Sequence, residues 1–130
     1  GWEKGPVRRH GNPSHGIGLT PDEKELWLCD GHNMKLHVFS AQAPYQQYTT
    51  LGMKDMPGWI TFSMDGHYAY PSSGEVIDTK SRKILLDLQD EFHNNVASEK
   101  MLEIQFEGKK AVKAGDQFGV GRVVRTIGNR

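Results

Sequence analysis

Histidine is the residue type most able to do chemistry in this chain. Six of them, His10, His15, His32, His37, His67 and His93, occur in 130 residues. Neutral imidazole is the commonest metal ligand, and three protein ligands plus one open position define a catalytic zinc site. Polar side chains accompany some of them: the Asp30 carboxylate and the Asn33 amide lie beside His32, and Asp90 and Glu91 precede His93. No pair has the helical His-x-x-x-His spacing that would mark a site by itself. His10 and His15 form a loop pair, and loop histidines bonded to water or backbone are the plain alternative.

Other reactive patterns are weaker. Cys29 is the only cysteine, so no internal disulfide forms; it falls in an apolar run and reads as a small buried residue. Ser14 and His15 are adjacent but lack the Gly-x-Ser-x-Gly elbow of a serine hydrolase. Gly119 and Gly121 lack the third glycine and the helix of a dinucleotide fingerprint. Arg8-Arg9 reads as an anion site or, more simply, a solvated pair. The formal net charge is zero, and no basic stripe points to nucleic acid. No apolar run approaches the ~20 residues of a membrane-spanning helix. The chain carries no initiating Met and no signal peptide, and Gly1-Trp2-Glu3-Lys4 reads as a processed or truncated end. Its compartment stays open.

The positioning elements are short strands. His15 to Ser40 contains three apolar runs, 17–19, 26–29 and 36–39, parted by Pro21-Asp22-Glu23-Lys24 and Asp30-Gly31-His32-Asn33, which are turn chemistry. That is the pattern of a β-meander. The stretch recurs from Trp59 to Asp78: Thr20-Pro21-Asp22 matches Ser63-Met64-Asp65, and Val38-Phe39 matches Val76-Ile77. Asp22 and Asp65 are 43 positions apart, and a repeat of about 40–45 residues with four strands is a propeller-blade period. The expected fold is therefore all-β, with four-stranded antiparallel blades in an incomplete ring. One domain over 1–130 is expected, with blade 1 at about 15–51, blade 2 at about 59–88, and a C-terminal hairpin and strand at about 96–126. The polar run Tyr45 to Leu51 reads as the outer strand of blade 1. Gln89 to Lys100 reads as a polar connection with at most a short helix. A closed ring of six to eight blades would need far more chain.

The pattern apolar–Ser/Thr–Pro–Asp, two turn residues, apolar–aromatic–apolar, then apolar–Val–Ile–Asp resembles the YVTN-type β-propeller repeat over about residues 15–88. It departs in Glu23 where the family favours Gly, in Met64 for Pro, and in Pro71 inside a strand. The resemblance implies that the loop leading to each inner strand and the turn between the second and third strands open on one face. His10, His15, His32 and His93 would then share that face, with His67 opposite and His37 within a strand. A divalent metal held there, zinc first and calcium second, would lower the pKa of bound water to about 7 and supply a nucleophile. Asp30 or Glu91 would serve as general base on a small-molecule phosphoester, ester or lactone. Propellers host many functions, and a non-catalytic interaction module stands beside the hydrolase. Trp27, Leu28, Phe39, Trp59, Phe62, Tyr70 and Ile77 lie in strands that need cover on both faces. Self-association is expected, a homodimer first and a tetramer second.

Overall fold

The computed structural model describes residues 14–116 and 121–123. All regular structure in them is β. Strands β1 (Ile17–Leu19), β2 (Glu25–Asp30), β3 (Lys35–Ser40) and β4 (Gln47–Gly52) form one antiparallel sheet in that order. Strands β5 (Ile60–Phe62), β6 (Tyr68–Pro71), β7 (Glu75–Asp78) and β8 (Ile84–Asp87) form a second. Strands β9 (Ile104–Glu107), β10 (Lys110–Gly115) and β11 (Gly121–Val123) form a three-stranded third, in the order β11-β10-β9. No helix among the described residues is long and apolar enough to cross a membrane.

Each blade hangs on the same turn. In blade 1 the Thr20 hydroxyl donates to Asp22 Oδ1 at 2.7 Å and accepts from Glu25 N at 3.0 Å. In blade 2 the Ser63 hydroxyl donates to Asp65 Oδ1 at 2.6 Å and accepts from Tyr68 N at 2.9 Å. This is why a hydroxyl residue two positions before an aspartate recurs in the sequence: side-chain oxygens satisfy the backbone of a tight turn. The turn also needs one residue at positive φ. Gly66 supplies it at 73° and Glu23 at 59°, so the departure at Glu23 is accommodated with strain rather than by a different turn.

The core lies between the two four-stranded sheets. Trp27, Cys29, Leu36, Val38 and Met53 meet Ile60, Phe62, Ala69 and Ile77. The Trp27 and Phe62 rings pack edge to face at 5.7 Å. Close approach of the inner strands depends on missing side chains. A Cβ on Gly16 would lie 2.5 Å from Gly58 O and 2.7 Å from Trp59 Cα; one on Gly18 would lie 2.8 Å from Ile60 Cγ2. Trp27, Phe62 and Ile77 are thus covered by the neighbouring blade, while Leu28, Phe39, Trp59 and Tyr70 keep partial exposure.

Three details differ from the sequence expectation. The outer strand of blade 1 begins at Gln47, because Tyr45 at φ 57° belongs to the preceding turn. Ile84 and Leu86 alternate in the sequence with Leu85 and Asp87, but a register shift opposite Val76 and Ile77 breaks the alternation along β8, and all four of its residues are exposed. Met101 to Glu103 line a cavity of about 180 Å³ with Thr61, Phe62 and Tyr70, and Glu103 accepts from Met64 N at 2.7 Å, instead of extending the hairpin. Gln89 to Lys100 holds no helix; Asp90 closes a turn by accepting from Phe92 N and Asn94 N.

Candidate functional site

Antiparallel order puts the start of β1, the end of β2, the start of β3 and the loop after β8 at one end of the blades. His15, Asp30, His32, Glu91 and His93 lie at that end, and His67 at the other, as the repeat implies. His10 lies outside the described residues. His15 Nδ1 donates to Gly58 O at 3.1 Å, and its ring leans on Trp59 with centroids 5.9 Å apart. His32 is exposed in the β2–β3 turn. His93 sits at φ 64° in the Asp90 turn, next to exposed Glu91. Among the described residues, no three His, Cys, Asp or Glu side chains are close enough to hold a metal ion.

Asp30 is engaged elsewhere, with a residue that sequence reasoning set aside. Its Oδ2 accepts from His37 Nε2 at 3.2 Å and from Asn33 Nδ2 at 2.8 Å, and its Oδ1 accepts from Asn33 N at 3.2 Å. Burial raises this carboxyl, but the bonds from Asn33 and His37 outweigh it and leave the pKa below the ordinary value. The other imidazole nitrogen, Nδ1, lies 2.9 Å from Thr50 Oγ1. Gln47 Nε2 donates to Thr50 Oγ1 at 2.8 Å and approaches His37 Nδ1 at 3.2 Å. Cross-strand register joins them, since His37 pairs with Leu28 on one side and with Thr50 on the other. Nothing in linear spacing signals this group; only the β3–β4 pairing does.

A cleft of about 390 Å³ opens between the blades at the opposite end, lined by both repeat turns and by Thr79, Lys80 and Arg82. Its charges are tied to one another. Arg82 pairs with Glu25 and stacks 5.3 Å from the Trp27 ring centroid, while Trp27 Nε1 donates to Glu25 Oε2 at 3.0 Å. Asp22 and Asp65 both have lowered pKa values, caused first by the hydroxyls of Thr20 and Ser63. The cleft wall is therefore a set of ion pairs and capped turns bridging the blades. At the other end buried Glu75 does similar work, accepting from Lys54 N at 2.7 Å and from Ser73 Oγ at 2.5 Å.

These blades define an incomplete β-propeller. No family model matches the chain, and no curated relative matches it. Among solved structures it resembles Kuenenia stuttgartiensis hydrazine synthase at a TM-score of 0.60 and 15% identity, over 89% of this chain and 33% of that one. It also resembles U3-55K and the WD40 repeats of RRP9, each at a TM-score of 0.55 and 14% identity, over 68% of this chain and 29% of theirs. Identities this low carry the fold alone. The chain spans about a third of the length of the structures it matches.

Proposed function

We propose that this chain is an interaction module built from YVTN-type propeller repeats, and that its partner is a second copy of itself. The observation that carries the reading is exposed apolar surface on the last strand of blade 2 and around the third sheet. Ile84, Leu85 and Leu86 are 46%, 52% and 52% exposed, and Leu102, Ile104 and Phe106 are 63%, 48% and 59% exposed. Soluble surfaces that show this much large apolar side chain mark contact sites. A partner that covers both groups would bury roughly 500 Å² per copy, about 1,000 Å² in all, the lower limit for a specific interface. Repeat architectures bury blade against blade.

Sedimentation of the purified chain across micromolar concentrations tests this. A dimer or larger closed assembly is expected, weakened by Leu85→Lys with Phe106→Lys. A 14.6 kDa monomer at every concentration would overturn the reading. Metal analysis of the same sample separates it from the metal-dependent hydrolase. One zinc per chain, with ester hydrolysis abolished by a chelator, would replace the module with the enzyme.

A further inference from the structure

Three strands of blade 1 each place one polar side chain in a directed hydrogen-bond series. β2 gives Asp30, β3 gives His37 and β4 gives Thr50. A carboxylate only accepts, so His37 Nε2 carries the proton in the 3.2 Å bond to Asp30 Oδ2. In the neutral ring Nδ1 is then the acceptor, 2.9 Å from the Thr50 hydroxyl. Asn33 fixes Asp30 from the other side with two bonds, at 3.2 Å and 2.8 Å. The carboxylate and imidazole are largely covered, with side chains 14% and 22% exposed, whereas Thr50 is open to solvent. A hydroxyl within hydrogen-bond distance of an oriented imidazole, itself held by a carboxylate, has the arrangement of an activated nucleophile. Gln47 donates an amide N–H to Thr50 Oγ1 at 2.8 Å, which holds the hydroxyl beside the imidazole. Leu28 and Phe39, half-buried on the same face, give an apolar border for an acyl group.

We propose that Thr50 is an acyl acceptor and His37 its general base, with Asp30 as a positioning residue, acting on small esters that have an apolar acyl group and a good leaving group. Thr50 Oγ1 attacks the carbonyl carbon and its proton passes to His37 Nδ1. The bond to the leaving oxygen breaks, and that oxygen takes the proton from His37. Water then attacks the Thr50 ester, gives a proton to His37 Nδ1, and the returning proton restores the hydroxyl as the carboxylic acid departs. The balance needs only ester and water.

Two controls lie within the chain. Asp65 and His67 repeat the carboxylate–imidazole pairing at 3.0 Å, but among the described residues no hydroxyl bonds the far nitrogen. Cys29, the other conceivable acceptor, is buried, and that burial, aided by Glu99, pushes its thiol up to about 12. The experiment is p-nitrophenyl acetate added to the whole chain, with phenolate release followed by absorbance and the acetyl group mapped by peptide mass spectrometry. A single acetyl on Thr50 is expected, with turnover insensitive to chelator. Thr50→Ala and His37→Ala should lower release at least a hundredfold toward the buffer rate, Thr50→Ser should retain it, and His67→Ala should leave it unchanged. Asp30→Asn should reduce the acylation rate at least tenfold with its thermal midpoint kept, the loss being greatest near neutral pH where the imidazole tautomer matters. Acetyl confined to lysines, or release unaltered in His37→Ala, would overturn the proposal and leave the series as a cross-strand tie.

Discussion

Gly16→Ala should destabilise the chain far more than an alanine elsewhere in blade 1. The added Cβ would sit 2.5 Å from Gly58 O and 2.7 Å from Trp59 Cα, where ordinary contact begins at 3.4 Å. Both obstacles are backbone, so no rotamer change relieves them, and the strands must part by roughly 0.9 Å. That displacement acts on the entry to β5, one residue before Ile60, which with Phe62 packs the core. Overpacking of this kind costs about 2–3 kcal/mol, or a fall of about 10 °C in the thermal midpoint for a chain of this size. The matched control is Gly52→Ala, since a Cβ there meets nothing within 4 Å; its change should stay within about 0.5 kcal/mol. Thermal unfolding followed by tryptophan fluorescence reads both. A Gly16→Ala midpoint within 2 °C of the parent, roughly the error of such scans, would refute the close approach of the inner strands.

Other outcomes follow from the same geometry. Glu23→Gly should stabilise by about 0.5–1 kcal/mol in denaturant unfolding, because it relieves the residue at φ 59°. Glu75→Ala should cost about 2–4 kcal/mol in the same assay, since it strands the Lys54 amide and the buried Ser73 hydroxyl. Asp22 and Asp65 have lowered pKa values when folded, so their contribution is complete above the ordinary carboxylate range and is lost as pH falls through the depressed values. Thermal midpoints should therefore drop below about pH 4, and the Thr20→Val, Ser63→Ala double variant should start lower but decline less steeply.

The blades were legible in the sequence because their determinants are local. Thr20 with Asp22 and Ser63 with Asp65 are readable as turn residues, and the alternation of Trp27, Cys29, Leu36 and Val38 reads as a buried face. The period placed the strands of both blades to within two residues. Glu23 was visible as an exception, but not that it keeps the glycine conformation. The regions read less well depend on distant partners. The exposed Ile84-Leu85-Leu86 run follows from a register shift against β7, and Met101 to Glu103 are held by blade 2. At the site level the sequence placed His15, His32 and His93 at one end of the blades, yet could not show that no three possible ligands among the described residues gather there. His37 was passed over as a strand residue. Its partners, seven and thirteen positions away in opposite directions, meet it only through pairing with two neighbouring strands.

The twin turns have a kinetic consequence. Every bond that closes them spans at most five residues, so the β1–β2 and β5–β6 hairpins can form early, before the blades dock. Docking is the non-local step, bringing Gly16 against Gly58 across a long loop of chain, and such closure is what slows folding. The two kinds of substitution should then divide between the limbs of a chevron plot. Thr20→Val and Ser63→Ala should mainly slow refolding, and Gly16→Ala should mainly speed unfolding. The motif that makes the repeat recognisable would thus also set the order in which the chain assembles.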